Sequence, residues 1–562
     1  ALNQQNFATT TDNYNVGVGY SAGLSITTGI QNTFIGGLAG DAITDADFNV
    51  AVGYAALGSD TLGSNSTAIG WSALASQNFS TATLSYNTAV GFKAGLDVTT
   101  GEQNTFVGGL AGENVTTGQR NVFLGTFAGD ANTEGQQNTA LGRGALTSDT
   151  LGSRSVAVGT DALSLQNFTT ASNTYNTAVG HSAGGAVTTG TDNVLIGGLA
   201  GDSLTDADFN VAIGTSALGA DTLGSRSIAI GVSALAAQNF TTATDAYNVA
   251  VGTLAGLSIT TGIQCVLIGG LAGDALQAAS DNTAVGYKAL SADVGGQNNV
   301  AVGTQTLEAQ NHSSGNIYNT AIGSKAGMSI TDAVRNTIVG GLAGDALTSA
   351  DFNTVVGYGA LSSDTLGERS VAVGYHALLT QNRTTASQSN NTAVGFQAGA
   401  NVTTGDENVF IGSDAGTGMT NAANCVIVGH STTASAFNGN GQIVIGHSIT
   451  GGGNNTVRFG TTAGGTATLS LDGSDTSWAA ASDERLKKDI ADSTVGLSFI
   501  NALRPVTFKW NAKNAIADSL PQYDANSSDP VYGEGKAHHG FVAQEVKTVI
   551  DANSDVVDGH NI

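Results

Sequence analysis

The sequence predicts an all-β fold, an elongated β-solenoid built from about 17-residue rungs, followed by a small α+β domain. Three observations predict it. A string of the type N-T-A-V-G recurs along most of the chain, the first 481 residues contain no proline, and all three prolines lie in the last 81 residues. Because proline cannot donate a hydrogen bond to a β-ladder, its absence over so long a stretch is typical of an uninterrupted sheet.

The final glycine of the recurring string marks 26 units, from Gly19 to Gly460. Counted along the chain, nearly every step is 17, five steps are 20 or 21, and the last is 14. Strings such as V-A-V-G fit a short strand with one buried face. The glycine predicts a positive φ or a close backbone approach at a corner, and the asparagine predicts an Asx-turn or a stacked ladder. One unit is therefore interpreted as one coil, and the 26 coils would span roughly 125 Å.

The five longer steps carry a Q-N-x insertion, and these insertions recur about every fourth rung. They should therefore lie on one face, which is where solenoids often carry their binding loops. An aromatic side chain there could stack on a sugar ring, or it could fold back and anchor its own loop. The candidate receptor-facing residues are Phe79, Phe168, Phe240, His312 and Arg383.

Composition excludes several classes of protein. Acidic residues outnumber basic ones 44 to 19, so a nucleic acid partner is not expected. No apolar run is long enough for a membrane helix, and the two cysteines cannot form a disulfide framework. No cofactor or metal site is predicted. The solenoid shows no carboxylate pair of the glycosidase type, so no multi-turnover activity is predicted there.

The repeats resemble the head repeats of trimeric autotransporter adhesins, which carry N-S-V-A-I-G-type strings in a parallel β-roll. Those repeats are shorter than the ones in this chain, which leaves the cross-section of the coil open between β-roll and β-helix. Small inward residues such as Ala89, Ala140, Ala178 and Ala250 indicate a thin coil with little core of its own. Packing on two sister chains would compensate, and the sequence therefore predicts a homotrimer.

Three blocks near the C-terminus differ from the repeats: A-A-A-S-D-E-R-L-K-K-D-I at 479–490, L-S-F-I-N-A-L-R-P-V-T-F-K-W at 497–510, and H-H-G-F-V-A-Q-E-V at 538–546. In this order they resemble the intramolecular chaperone auto-processing domain of phage tailspikes and tail fibres, including endosialidases. The resemblance implies that the domain trimerises, guides folding of the preceding fibre, and cuts itself off between Ala481 and Ser482. It implies Ser482 as nucleophile and Lys487 as base.

The chemistry of the residues agrees with that implication. A serine hydroxyl needs an adjacent base, and a lysine can act as one only when its pKa is lowered by desolvation or a neighbouring cation. Arg485 is such a cation, and Asp483 and Arg485 are assigned supporting roles. Gln544 and Glu545 match the A-Q-E-V block and are assigned either a supporting role or a polar helix start. Without the flanking blocks, S-D-E-R alone would be interpreted as a helix capping box.

The predicted domains are a solenoid shaft at 1–465, a connector at 466–481, and a self-cleaving chaperone domain at 482–562. Because the chain begins at Ala1 and ends shortly after the third block, a fragment or processed form lacking a C-terminal helix is expected. The favoured function is a phage tail fibre shaft, located in the virion, that contacts other tail or baseplate proteins and adsorbs to a host-surface glycan or protein. The alternatives are a bacterial surface adhesin at the cell exterior and a polysaccharide-degrading tailspike.

Overall fold

The computed structural model describes residues 1–471, 496–520, 522–532 and 535–552. The chain divides into two compact units, Ala1–Asp472 and Gly473–Ile562. The first unit is the predicted β-solenoid of about 26 turns. Its main sheet has 27 strands, and the strands of successive rungs pair in parallel and in register, so that Ala89 lies opposite Phe106 and Phe106 opposite Phe123. The repeat step seen in the sequence is therefore the distance along the chain between equivalent positions of neighbouring rungs.

The strands of the main sheet, in chain order, are Val16–Val18, Thr33–Ile35, Val50–Val52, Thr67–Ile69, Thr88–Val90, Thr105–Val107, Val122–Leu124, Thr139–Leu141, Val156–Val158, Thr177–Val179, Val194–Ile196, Val211–Ile213, Ile228–Ile230, Val249–Val251, Val266–Ile268, Thr283–Val285, Val300–Val302, Thr320–Ile322, Thr337–Val339, Thr354–Val356, Val371–Val373, Thr392–Val394, Val409–Ile411, Val426–Val428, Ile443–His447, Thr456–Thr461 and Gly465–Ser470. The last strand pairs antiparallel with the one before it, so the sheet continues five residues beyond the predicted end of the shaft at 465. Residues 472–481 of the predicted connector lie outside the described residues.

Each insertion adds a second, two-residue pairing at the side of the solenoid. These parallel pairs are Gly63–Ser64 with Thr83–Leu84, Gly152–Ser153 with Ser172–Asn173, Gly224–Ser225 with Thr244–Asp245, Gly296–Gln297 with Gly315–Asn316, and Gly367–Glu368 with Ser387–Gln388. The inserted residues therefore enlarge one corner of a rung and leave the register of the main sheet unchanged.

The glycine that ends each string is required by its backbone geometry. Gly197 has a φ of +135°, and a Cβ atom placed on it would lie 2.6 Å from the carbonyl carbon of Gly214 in the next rung. Both features exclude larger residues, because that φ region is open mainly to glycine and the contact is with backbone that cannot move aside. The corner glycine predicted from the sequence is confirmed.

A ladder of buried asparagines runs along the inside of the solenoid. The backbone N–H of Asn49 donates to Oδ1 of Asn32 at 2.9 Å, and Nδ2 of Asn49 donates to the carbonyl oxygen of Gly63 at 2.9 Å. Cys265 replaces asparagine in one rung, and its Sγ donates to the carbonyl oxygen of Ala279 at 3.3 Å. Each rung therefore supplies hydrogen-bonding partners for buried backbone groups, which would otherwise destabilise the thin core.

In most rungs, two inward positions compensate for one another in volume. Where the strand centre is a large residue such as Phe123, the residue six positions later is a glycine, Gly129, whose added Cβ would lie 2.5 Å from the phenyl ring. Where the strand centre is Ala140, the residue six positions later is Leu146, and both are fully buried. In both arrangements one large and one small residue share the narrow core. The buried side chains therefore stay in van der Waals contact with their neighbours.

Among its described residues, the second unit contains two short helices, Leu497–Ala502 and Ala543–Asp551, and a 3₁₀ turn at Lys513–Ala515. Strand Val506–Phe508 pairs antiparallel with His538–Gly540. Neither helix contains a buried residue. Across the described ranges of both units, no helix has the length and apolarity needed to cross a membrane.

Candidate functional site

The predicted cleavage site and dyad cannot be placed by the structure. Ala481, Ser482, Asp483, Arg485 and Lys487 all lie outside the described residues. Their roles as cleavage site, nucleophile, base and supporting groups therefore stay predictions. The structure does describe the other two sequence blocks of the same domain and how they meet.

These two blocks form the small antiparallel sheet. Val506 lies opposite Gly540 and Phe508 opposite His538, and Thr507 Oγ1 lies 3.0 Å from His539 Nδ1. Thr507 and His539 are 32 residues apart in sequence, so the blocks that identify the domain also define its fold.

An ion pair joins the R-P-V block to the A-Q-E-V helix. Arg504 Nε donates to Glu545 Oε2 at 3.0 Å, and Arg504 Nη2 donates to Glu545 Oε1 at 2.5 Å. Hydrogen bonding and charge together lower the pKa of Glu545 and raise the pKa of Arg504. This contact joins the first turn of the helix Ala543–Asp551 to the segment before the strand Val506–Phe508, and a supporting role for Glu545 stays a prediction. Gln544 is exposed beside it. Arg504 was missed by sequence reasoning, although it precedes the proline of the recognised block.

An aromatic cluster forms a shallow pocket in the same unit. The Trp510 ring meets Phe508 and Tyr532 edge-on, with centroids 5.2 and 5.0 Å apart. The pocket has a volume of about 240 Å³, and Ile516 and Leu520 are among its other lining residues. Trp510 is 40% exposed, so it forms the wall of an open pocket and is not enclosed in a core.

The three phenylalanines of the insertions are buried. Phe79, Phe168 and Phe240 are 4%, 7% and 6% exposed. The rings of Phe79 and Phe240 pack against the backbone of Gly63 and Gly224 in the preceding rung. The exposed ring faces that sugar stacking requires are therefore not found at these positions, and loop anchoring describes them. The reason is that the inserted chain folds back over Gly63 or Gly224, which have no side chain to fill that space.

His312 and Arg383 occupy the same position in the two later insertions. Their backbone N–H groups donate to Asp293 and Asp364, each at 2.9 Å, just as that of Phe79 donates to Asp60. The Arg383 side chain forms an ion pair with Asp406 at 2.9 Å. A receptor-facing role for these loops stays a prediction.

Sequence reasoning missed a buried hydrogen-bond network beneath each insertion. Oδ2 of Asp60 accepts from Gln77 Nε2 at 2.6 Å, while Oδ1 accepts from the backbone N–H of Gly63 at 3.0 Å. Gln77 Oε1 accepts from Asn87 Nδ2 at 2.9 Å. The same arrangement recurs at 2.5–2.7 Å in four more pairs: Asp149–Gln166, Asp221–Gln238, Asp293–Gln310 and Asp364–Gln381.

These carboxylates are fully buried. Burial raises the pKa of Asp60 and Asp149, and the hydrogen bonds that they accept oppose that rise only in part. A signal for the network was present in the sequence, because an aspartate lies one full rung, 17 residues, before the glutamine of every insertion. Because both members of every pair are buried, we interpret the network as an anchor for the insertions.

Two histidines stack in adjacent rungs near the end of the solenoid. The His430 and His447 rings lie 5.2 Å apart with 15° between their planes. Over the described ranges, no group of three or more His, Cys, Asp and Glu side chains is placed to hold a metal ion.

Comparison with known proteins locates the family signal at the C-terminus. The family model of peptidase S74, the chaperone of endosialidase, matches residues 482–555. A search of the curated proteins found no match. The matched segment contains all three recognised motifs, S-D-E-R-L-K, R-P-V-T-F-K-W and A-Q-E-V. The chain therefore joins a β-solenoid of about 26 turns to a C-terminal domain of the endosialidase chaperone type.

Proposed function

We propose that this chain is the shaft of a homotrimeric fibre whose C-terminal domain assembles the three copies and then removes itself. The observation that supports the proposal is the family match at residues 482–555, which follow the solenoid in the sequence. A thin coil with an alanine at most of its strand centres has little core per chain, so association adds apolar burial that a single chain lacks.

The proposed cleavage is an acyl transfer. With Lys487 neutral, its Nζ accepts the Ser482 hydroxyl proton as Oγ attacks the carbonyl carbon of Ala481. The C–N bond then breaks, the Ser482 nitrogen takes up the proton and leaves as an amine, and an ester joins Ala481 to Oγ. Water hydrolyses this ester, which leaves a carboxylate at Ala481 and a free N-terminus at Ser482.

The experiment compares full-length chain with Ser482→Ala, Lys487→Ala and Lys487→Arg on a denaturing gel. We expect two fragments from the wild type, and intact chain from all three variants. The arginine variant keeps the positive charge but cannot act as a base, because its pKa is too high. Two fragments from Ser482→Ala, or one band of full length from the wild type, would contradict self-cleavage.

We further propose that the shaft belongs to a phage tail and adsorbs to a host-surface glycan or protein. The chaperone family supports this proposal through its name, which refers to endosialidase. Incubation of the purified shaft with bacterial surface polysaccharide tests it. Binding without new reducing ends is the expected result. Release of reducing ends would favour the depolymerase, and the absence of binding to any surface extract would favour a shaft that acts as a spacer.

A further inference from the structure

The outward face of the main sheet carries no charged residue along the solenoid, and most of its residues are apolar. In the 25 strands from Val16–Val18 to Ile443–His447, the first and third residues are at least partly exposed, and the second is fully buried in every strand except the first, where it is Gly17. All first residues are Val, Ile or Thr, and all third residues are Val, Ile or Leu. Examples of their exposure are 40% at Ile35, 41% at Ile322 and 42% at Ile411.

Such a face is not what solvent exposure predicts. The chain is 11% charged, so fifty positions of average composition would hold about five charged residues, yet these fifty hold none. Thirty-nine of the fifty are Val, Ile or Leu and the other eleven are Thr, whereas strand positions in contact with water normally carry charged and polar side chains. Contiguous apolar patches of this extent mark interaction surfaces.

Aromatic and arginine residues lie two positions beyond either end of many of these strands, and therefore at the two edges of the sheet. On one edge, the Trp71 ring stacks with Tyr54 and Phe92 at centroid distances of 6.3 and 5.3 Å, and Tyr375 stacks with Phe396 at 5.2 Å.

On the other edge, the Arg226 guanidinium lies 4.7 Å from the Phe209 ring centroid, and those of Arg335 and Arg369 lie 5.6 and 5.9 Å from that of Phe352. An apolar centre bordered by Trp, Tyr and Arg is the composition of a protein interface with hot spots.

We propose that the outward sheet face, the first and third residues of these 25 strands, is the surface on which copies of this chain pack, parallel and in register. This inference rests on the proposed homotrimer and names its contact surface. The face repeats at the rung spacing over roughly 120 Å. A second copy of the chain has the same length and the same spacing, so it can contact the face along its whole length.

Area and charge support the same partner. A strip roughly 120 Å long and one three-residue strand wide, about 10 Å, covers about 1,200 Å², above the roughly 800 Å² per partner of a stable interface. Each chain has a net charge of -25, so association through an uncharged face keeps the acidic surfaces apart.

The first test places charges on this face. The double variant Ile213→Asp/Ile230→Asp is compared with the matched control Thr241→Asp/Thr261→Asp, whose threonines are exposed elsewhere on the solenoid. We expect the sheet-face variant to lose the trimer and become monomeric by sedimentation equilibrium while its β-sheet circular dichroism is retained. The control should remain trimeric. A trimer from both variants would overturn the assignment of the face.

The second test uses single cysteines at Ile35, Ile230 and Ile411 and a short thiol cross-linker in the full-length chain. The native Cys265 and Cys425 are buried, and burial raises the pKa of Cys265 to about 11. We therefore expect little cross-linking through the native cysteines. Parallel packing predicts cross-linked copies at all three sites and none for Thr261→Cys. Cross-links at Ile230 alone would indicate antiparallel packing. A monomeric wild type would contradict the homotrimer itself, whereas a trimer without sheet-face cross-links would contradict only this face.

Discussion

The solenoid and the C-terminal unit achieve order in different ways. In the solenoid, the strand-centre side chains from Phe34 to Val444 have no exposed surface, and each rung is bonded to its neighbours through backbone and asparagine ladders. In the C-terminal unit, neither helix buries a residue, and the Arg504–Glu545 contact lies at the surface. The solenoid is therefore stabilised by the same burial and the same hydrogen bonds, repeated from rung to rung. The described residues of the C-terminal unit bury little within one chain, which is what we expect if the domain completes its packing on sister chains.

The largest effect on the free energy of unfolding should come from the corner glycines, which recur at the end of each string. Gly197→Ala places a Cβ at a φ of +135° and 2.6 Å from backbone, whereas the adjacent Gly198 has nothing within 4 Å of an added Cβ. We expect Gly197→Ala to lower the free energy of unfolding by about 3 to 5 kcal/mol. Gly198→Ala should change it by less than about 1 kcal/mol.

Denaturant unfolding followed by circular dichroism measures both variants. Equal stability of the two would show that the corner geometry does not limit the solenoid. The pair is well matched because the residues are neighbours and the substitution is the same.

The next effect should come from the asparagine ladder. Asn210→Ala leaves the backbone N–H of Ser227 and the carbonyl of Gly224 without their partners, which now lie at 2.9 Å each. We expect a loss of about 2 to 3 kcal/mol in the free energy of unfolding. Asn210→Cys should cost less, because Cys265 holds the same place and donates through its thiol. A cysteine variant as unstable as the alanine variant would contradict this account of the ladder.

A smaller, pH-dependent effect should come from the buried aspartates. The folded-state pKa of Asp60 and Asp149 is raised above 3.8 by burial, so protonation favours the folded state. Their contribution to stability is full below the unfolded pKa and is lost as the pH rises through the folded one. The free energy of unfolding should therefore rise as the pH falls from neutral towards 3.8.

Asp60→Asn/Asp149→Asn should show a smaller rise, measured by urea unfolding at a series of pH values. It should also lose about 1 to 2 kcal/mol per site at low pH, since an amide offers one oxygen where the carboxyl group offers two. The control Asp97→Asn, at a partly exposed position, should follow the wild type. A double variant with the wild-type pH dependence would contradict the role given to these groups.

The smallest effect should come from the Arg504–Glu545 pair, which is exposed and screened by solvent. Arg504→Ala should raise the pKa of Glu545 from its lowered value towards 4.5, which an NMR titration of the carboxyl carbon measures. The folded pKa is depressed, so the pair contributes above the unfolded pKa and its contribution is lost as the pH falls. An unchanged Glu545 titration would show that the contact does not persist in solution.

Much of the fold could be predicted because one pattern repeats in the sequence. The regular step and the corner glycine recur in nearly every unit and the ladder asparagine in most units, so the same structural prediction is supported at many positions. The insertions could not be interpreted in this way. Whether Phe79 faces solvent or Gly63 depends on how the extra residues fold at one corner, which periodicity does not specify.

The Asp60–Gln77 pair was missed for a related reason. It joins residues one rung apart that belong to different parts of the repeat pattern, and polar residues are usually assigned to the surface. The dyad of Ser482 and Lys487 was predicted from motif resemblance, and it stays a prediction because both residues lie outside the described ranges.

Native mass spectrometry of the purified wild-type protein tests the central claim most directly. The account predicts one dominant species, three copies of a chain that ends at Ala481. A monomer of any length, or a trimer of the intact 562-residue chain, would contradict it.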